Sequence, residues 1–271
     1  MTTQGEARLA HLRTRLAGRF ALRDLTLDFA GTDKPFVATI PADPDAPLDE
    51  MAAAQAARGA NSAETPESEQ WKAHNDSAAA AARATIEAGA HLPYWALLWP
   101  SGLALAEALL AEPATIQQRR CLELGCGLGV TAAVALSLGA DLTISDLFPE
   151  ALLFAEYNTL RMAGQAAHPL LLNWRTPAGR ERLLATAPFD MLLAADVLYE
   201  PEDLEPLLTL APALLRPDAP FWLAEPGRKA SRAFVEQALA RGWTDTPSVI
   251  EHTWPPDGDL TRVTIHRFCL P

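Results

Sequence analysis

A glycine-rich turn between two predicted strands constrains the fold more than any other feature of this sequence. The turn is the run Cys-Leu-Glu-Leu-Gly-Cys-Gly-Leu-Gly at residues 121–129, which begins as a short apolar strand and leads into an apolar helix over 130–138. A second strand, 141–145, ends at Asp146. Strand, glycine turn, helix, strand and acid, in this order, are typical of a nucleotide-type cofactor site at the edge of a parallel α/β sheet.

The spacing of the turn distinguishes between classes of cofactor. A dinucleotide-binding turn has the form G-x-G-x-x-G, whereas here the third glycine, Gly129, falls one residue early. An acid, Glu123, stands two residues before the first glycine, Gly125. The resulting pattern E-x-G-x-G-x-G resembles motif I of the class I methyltransferases that use S-adenosylmethionine (SAM). The alternatives are a glycine-rich turn used only for packing and, more remotely, an NAD site.

The rest of the sequence predicts an α/β fold that starts near residue 91. Five strands alternate with helices, which indicates a parallel sheet with helices on its faces. The strands are predicted at 120–124, 142–145, 168–172, 189–195 and 221–225, and the helices at 103–111, 130–138, 149–163, 204–215 and 230–240. Ser101 is the predicted cap of the first helix and Gly164 the stop of the third. A Pro-Pro-Asp-Gly turn predicts an antiparallel hairpin of strands 248–254 and 262–269.

The methyltransferase resemblance implies a Rossmann-like fold with a mixed seven-stranded sheet in the order 3-2-1-4-5-7-6 and helices on both faces. We therefore divide the chain into an N-terminal extension, 1–90, and a SAM-dependent methyltransferase domain, 91–271. The extension is predicted to begin with a helix over 6–18 and a hairpin of strands 21–29 and 36–40. Its remainder, from residue 41, is acidic and rich in Ala and Pro, which indicates a linker, a lid or a disordered segment.

Residues that follow the parallel strands are the candidates for binding and chemistry, because open α/β sheets bind ligands at the carboxyl ends of their strands. Asp146 follows the second strand and is predicted to bind a ribose diol; its alternative role is to cap the next helix. Asn173 and Trp174 follow the third strand, where the indole can cover an adenine face or simply pack. The fourth strand ends in Ala195-Asp196-Val197-Leu198-Tyr199.

Asp196-x-x-Tyr199 resembles the D-x-x-Y motif of the seven-β-strand protein-lysine methyltransferases. The runs 172–174 (Leu-Asn-Trp) and 98–100 (Leu-Trp-Pro) resemble two further motifs of that family. Within it, the runs 92–96 and 225–228 are most similar to the branch that methylates the electron-transfer flavoprotein β-subunit. That branch usually has G-D-P-G-R where this chain has Ala224-Glu225-Pro226-Gly227-Arg228.

The resemblance implies a methyl transfer from SAM, which becomes S-adenosylhomocysteine, to a protein lysine amine. It implies catalytic roles for Asp196 and Tyr199, which would orient the amine; their alternative roles are a helix cap and a packing aromatic. Together with the strand ends, it predicts these cofactor-binding residues: Trp99, Glu123, Gly125, Cys126, Gly127, Gly129, Asp146, Leu147, Asn173, Trp174 and Ala195. The alternative functions are a small-molecule N- or O-methyltransferase and a non-catalytic SAM-binding module.

Composition narrows the range of partners. A net charge of −12 disfavours nucleic acid as a partner and is compatible with a cationic substrate or simply with solubility. No apolar run reaches the roughly 18 residues of a membrane span. The three cysteines show no metal-ligand spacing, and their odd number favours a reducing compartment. We expect a cytoplasmic monomer that acts on a protein substrate, without a metal ion, nucleic acid or membrane.

Overall fold

The computed structural model describes residues 3–30, 32, 35–47, 93–254 and 258–271. Several predictions therefore lie outside the described residues: most of the acidic segment after residue 41, the boundary at residue 90, and parts of the two turns at 31–33 and 255–258. None of the described helices combines the length and the apolar composition that crossing a membrane requires.

The chain begins with a helix, α1 (Thr3–Ala17), and two short strands, β1 (Leu22–Leu27) and β2 (Phe36–Pro41). The two strands pair antiparallel, with Leu22 opposite Pro41 and Leu27 opposite Phe36, so the predicted hairpin is confirmed. The last four residues of β2 are buried, and the buried apolar side chains of the hairpin belong to the same apolar core as α4 (Pro149–Ala163).

Among the described residues, the main sheet has eight strands. They are β3 (Arg120–Leu124), β4 (Asp141–Asp146), β5 (His168–Leu171), β6 (Met191–Ala195), β7 (Pro220–Glu225), β8 (Thr244–Asp245), β9 (Ser248–Thr253) and β10 (Leu260–Cys269). The first five are parallel in the order β5-β4-β3-β6-β7. β10 runs antiparallel to β7, and its other edge pairs with β9 and β8.

The predicted strand order 3-2-1-4-5-7-6 is confirmed, with β9 and β10 as the sixth and seventh strands of the prediction. The predicted number of strands is exceeded by one, because β8 pairs with the far end of β10 through Asp245 and Phe268. Only two residues long and followed closely by Pro247, β8 is too short to leave an alternating pattern in the sequence.

Helices cover both faces of the sheet. Besides α1 and α4 they are α2 (Pro100–Ala111), α3 (Val130–Ser137), α5 (Pro177–Leu184), α6 (Leu204–Leu214) and α7 (Lys229–Ala240). α4 begins at Pro149 and ends before Gly164 as predicted; Gly164 has a φ of 73°, the left-handed conformation in which glycine ends helices.

Two details of the helices differ from the predictions. Ser101 does not cap α2: the helix begins one residue earlier, at Pro100, with Trp99 as its N-cap residue. Proline is well suited to the first helical position, where its missing N–H would have no partner in any case. α5 was not predicted, since only Gly179 and Leu183 of its residues are buried and it has no apolar stripe. Its N-cap is Thr176, whose hydroxyl accepts a hydrogen bond from the Gly179 N–H.

Candidate active site

A cavity of about 390 Å³ lies at the carboxyl ends of β3, β4 and β6. This volume lies in the range of pockets for small organic ligands. The strand ends meet here because the parallel strands lie side by side in register. The cavity is lined by Tyr94, Trp95, Leu97, Trp99, Gly125, Gly127, Asp146, Leu147, Phe148, Trp174, Ala195, Asp196, Val197, Tyr199, Glu200 and Arg228.

The glycine turn presents backbone to this cavity. Gly125 and Gly127 line it and have positive φ values of 66° and 49°. A Cβ on Gly125 would lie 2.9 Å from Cγ1 of Val197, so the site has no space for a side chain there. Gly129 does not line the cavity; it precedes α3, and a Cβ there would lie 2.6 Å from Cα of Ala155. Two glycines therefore shape the cavity wall, and the third allows two helices to approach closely.

Asp146 ends β4 with its carboxylate at the cavity wall. One oxygen accepts a hydrogen bond from the Gly127 N–H (3.0 Å) and the other from the Phe148 N–H (3.0 Å). Burial raises the pKa of this carboxyl to about 6, although these two hydrogen bonds act in the opposite direction. The N-cap residue of α4 is Phe148, so Asp146 does not cap that helix. Its side chain instead connects the glycine turn to the end of β4.

Two residues of the predicted cofactor site lie behind the cavity wall. Glu123 is 2% exposed, and its Oε2 has no hydrogen-bond partner among the described residues. Burial, and then the nearby charge of Asp146, raise the pKa of Glu123 to about 8, so its carboxyl is largely protonated at neutral pH. Cys126 is also buried, and burial raises its thiol pKa well above the usual value. Neither side chain lines the cavity.

Of the remaining predicted cofactor residues, all but Asn173 line the cavity. Trp99, Leu147, Trp174 and Ala195 line the cavity. Asn173 is buried beside it, and its side-chain oxygen accepts a hydrogen bond from the Arg175 N–H (2.9 Å). Asn173 therefore shapes the turn that carries Trp174 rather than lining the cavity itself.

Asp196 and Tyr199, the two predicted catalytic residues, both line the cavity. Asp196 has a φ of 55° and a side chain that is 5% exposed. Tyr199 is 37% exposed, and its ring meets the ring of Tyr94 edge-on, with centroids 5.9 Å apart. Burial, and then the charge of Asp203, raise the pKa of the Tyr199 phenol, which is thus neutral at physiological pH.

Arg228 is a cavity residue to which the sequence assigned no role. Its guanidinium forms a two-point ion pair with Asp196, with Nε–Oδ1 and Nη2–Oδ2 distances of 2.5 and 2.9 Å. The hydrogen bond to Asp196 raises the pKa of Arg228, so this group is permanently charged. The strand order could have predicted that Arg228 lies near Asp196. Arg228 follows β7 and Asp196 follows β6, and these two strands are neighbours in the sheet.

A second ion-pair cluster holds the loop that carries Tyr199. Arg175 contacts Asp203 (2.5 Å) and Glu200 (2.7 Å), which joins the turn after β5 to the loop after β6. Asp203 is the last residue of a short helical turn, Pro201–Asp203, and Glu200 is the residue before that turn. The sequence contains no periodic pattern that predicts this cluster, because it depends on two loops meeting across the end of the sheet.

The described residues contain no group of histidine, cysteine and acidic side chains that could hold a metal ion. The three thiols, those of Cys121, Cys126 and Cys269, form no disulfide. The cavity therefore offers backbone, aromatic faces, carboxylates and one guanidinium for binding an organic ligand.

A glycine turn and an acidic strand end around one cavity define a nucleotide-type cofactor site in an α/β fold of the class I methyltransferase type. A family model described as lysine methyltransferase matches residues 87–239, more than half of the chain. The chain belongs to this family. The N-methyltransferase NodS of Bradyrhizobium japonicum, solved with S-adenosylhomocysteine, shares the fold at 16% identity, with a TM-score of 0.50 over 72% of this chain and all of NodS.

Two relatives differ in the acceptor that their names state. The electron transfer flavoprotein beta subunit lysine methyltransferase of Xenopus laevis is 34% identical over 111 residues, which are 41% of this chain and 42% of the relative. The histone-arginine methyltransferase METTL23 of Xenopus laevis is 29% identical over 164 residues, 59% of this chain and 68% of the relative. The chain thus spans about two fifths of the length of the first of these relatives.

Proposed function

We propose that this protein transfers a methyl group from SAM to the side-chain amine of a protein lysine. The observation that carries the proposal is that one cavity brings together the glycine turn, Asp146 and the pair Asp196 and Tyr199. Membership of the lysine methyltransferase family and the names of the relatives support the same activity.

The cavity wall fits a nucleoside at its glycine end. The Asp146 carboxylate accepts backbone hydrogen bonds from Gly127 and Phe148, and its two oxygens together offer about four lone-pair sites, so acceptor capacity remains for a ribose hydroxyl. Gly125 and Gly127 leave room for the ligand to approach the backbone. Trp99 and Trp174 add flat apolar faces beside it. When bound, SAM supplies the electrophilic methyl group of its sulfonium.

The acceptor must present a lone pair in line with the methyl–sulfur bond, about 3 Å from the methyl carbon. A free lysine has a pKa of about 10.4 and is charged at neutral pH. Burial and the positive charge of the SAM sulfonium both lower a lysine pKa, whereas Asp196 raises it. The ammonium must release its proton to water before its lone pair can attack the methyl carbon. We assign the orientation of the amine to Asp196 and Tyr199. The neutral phenol of Tyr199 can donate or accept a hydrogen bond.

The acceptor is proposed to be a protein, as the names of the relatives indicate for their own substrates. The lysine acceptor rests on the family description, while the likeness to METTL23 favours arginine as the second candidate. The net charge of −12 attracts either cationic side chain. We further propose a cytoplasmic monomer that binds no nucleic acid; the unpaired cysteines accord with a reducing compartment.

The roles of Asp196 and Tyr199 can be tested with Asp196→Asn and Tyr199→Phe. Both variants should bind S-adenosylhomocysteine like the wild type in calorimetry but lose methyl transfer into an extract of the source cell by about 100-fold or more, as misplaced reactants do. Asp218→Asn is the matched control, since Asp218 is exposed and has a similar φ of 62°. Transfer within a few-fold of the wild type in Asp196→Asn would refute its catalytic role.

A further inference from the structure

The guanidinium of Arg228 lies in a site that has the composition of a cation-binding site. Asp196 contacts it at two points, 2.5 and 2.9 Å away, and its Cζ lies 5.5 Å from the centroid of the Trp99 ring. A carboxylate together with an aromatic face is the usual surrounding of a bound ammonium or guanidinium group. The chain's own arginine thus occupies this position.

The aromatic part of the site is held in place independently of Arg228. The indole N–H of Trp99 donates a hydrogen bond to the Tyr94 carbonyl (3.0 Å), and the two rings meet edge-on. Tyr94 in turn contacts the ring of Tyr199. Removal of the guanidinium would therefore leave the aromatic walls in position.

Asp196 needs a cation beside it. Its side chain is almost fully buried, and Arg228 engages both of its oxygens. An uncompensated buried carboxylate is strongly unfavourable, so Arg228 stays until another cation replaces it. A second cation next to the intact pair would meet the like charge of Arg228 at close range. An incoming ammonium and Arg228 therefore compete for the same carboxylate.

Arg228 has a route out of the site. Its side chain is 36% exposed, and it is the residue before α7 rather than part of the helix. The preceding residue, Gly227, has a φ of 87°, and no atom of the other described residues, its two chain neighbours apart, lies within 4 Å of the position that a Cβ would occupy on it. Glu225 fixes the backbone of this turn by accepting a hydrogen bond from the Gly227 N–H (2.6 Å). The Arg228 side chain can thus swing toward solvent while β7 and α7 remain in place.

We propose that Arg228 is an internal competitor of the acceptor: its guanidinium fills the acceptor's cation position, and a protein ammonium enters by displacing it. The inference rests on the proposed function only for the identity of the incoming cation as a lysine ammonium. Arg228 then acts as a specificity residue, because neutral and anionic groups cannot replace it beside Asp196. It also lowers the affinity for every cation to the fraction of the intrinsic value that equals the fraction of time the site is vacant.

The test measures the binding of n-butylammonium, which has the charge and the alkyl stem of a lysine side chain. Arg228→Ala should bind it roughly ten-fold more tightly than the wild type or better, since a vacant state populated at about 10% or less reduces affinity by that fraction. Arg232→Ala, an exposed arginine one turn further along α7, is the matched control and should bind like the wild type. Arg228→Ala with Asp196→Asn should lose the gain.

Equal or weaker binding of n-butylammonium by folded Arg228→Ala would overturn the proposal, as would a gain that survives Asp196→Asn. Arg228→Met, which keeps the apolar stem, replaces the alanine variant if that variant does not fold. The measurement involves neither SAM nor methyl transfer. Failure of the protein to bind S-adenosylhomocysteine would therefore refute the proposed function while this result stands on its own.

Discussion

Asp146 is the residue at which the proposed cofactor binding can be tested most directly. Its carboxylate receives N–H groups from both the glycine turn and the start of α4. We predict that Asp146→Ala lowers the affinity for S-adenosylhomocysteine by about ten-fold or more, the usual effect of losing hydrogen bonds to a charged group. Titration calorimetry measures this affinity directly.

The matched control is Asp141→Ala, an exposed acid at the opposite end of the same strand. It should leave the affinity unchanged. If Asp146→Ala remains folded and binds as tightly as the wild type, the ribose assignment fails.

At the scale of single residues, the sequence predicts where a side chain lies in the fold better than which side chain it contacts. Asp146 and Asp196 could be placed because a residue at a strand end has only one location in a parallel sheet. The partner of Asp196 could not, because Arg228 follows a different strand and its long side chain can reach several groups. For Glu123 the position was predicted correctly, on the strand just before the glycine turn, but the direction of its side chain was not. The side chain is buried in the core and does not line the cavity.

At the scale of elements, Gly129 determines how closely α3 and α4 pack. We predict that Gly129→Ala lowers the free energy of unfolding by about 2 kcal/mol more than Gly164→Ala, because overpacking adds to the strain of a left-handed alanine. Both glycines have φ values near 75°, but only at Gly129 would a Cβ meet the backbone of Ala155. Urea denaturation of both variants provides the comparison, and equal losses would contradict this account.

Elements with strong local signals were predicted accurately, and those that depend on tertiary contacts were not. α4 has Pro149 at its start and Gly164 after its end, and both boundaries were correct. α5 has no apolar stripe, and β8 exists because Asp245 pairs with Phe268 and also hydrogen-bonds His266. No periodic pattern marks such elements before the sheet is assembled.

At the scale of the whole molecule, the N-terminal hairpin is joined to the cofactor turn through one buried side chain. The Asn158 carboxamide accepts a hydrogen bond from the Thr39 N–H (2.8 Å) and donates to the carbonyl groups of Thr39 (2.9 Å) and Leu128 (2.8 Å). The hairpin and the turn are thus linked by three hydrogen bonds of one carboxamide, which the sequence does not reveal because residues 39, 128 and 158 are far apart in the chain.

A buried histidine makes the stability of the molecule depend on pH. Burial favours neutral His266, but hydrogen bonds with Asp245 and Glu225 outweigh it and raise its pKa to about 9. Since the unfolded value is about 6.5, protonated His266 stabilises the fold fully below that pH, and this contribution disappears as the pH rises through 9. We predict that the stability difference between the wild type and His266→Gln shrinks by up to about 1.4 kcal/mol per pH unit over this range.

Urea denaturation of both proteins at pH 6, 7.5 and 9.5 measures this difference. Groups that titrate equally in both proteins contribute equally to the two stabilities, so their contributions cancel in the difference. Burial also raises the pKa of Glu123, for example, and this effect is common to the two proteins. A difference that stays constant from pH 6 to 9.5 would show that folding does not raise the pKa of His266.

The most direct test of the central claim is the fate of the methyl group. The protein is incubated with SAM labelled by tritium in its methyl group and an extract of the source cell; proteins are then separated from small molecules, and the labelled protein is hydrolysed. The account predicts a labelled protein band whose hydrolysate contains the label as methyl-lysine. Label confined to the small-molecule fraction, or recovered as methyl-arginine, would contradict it.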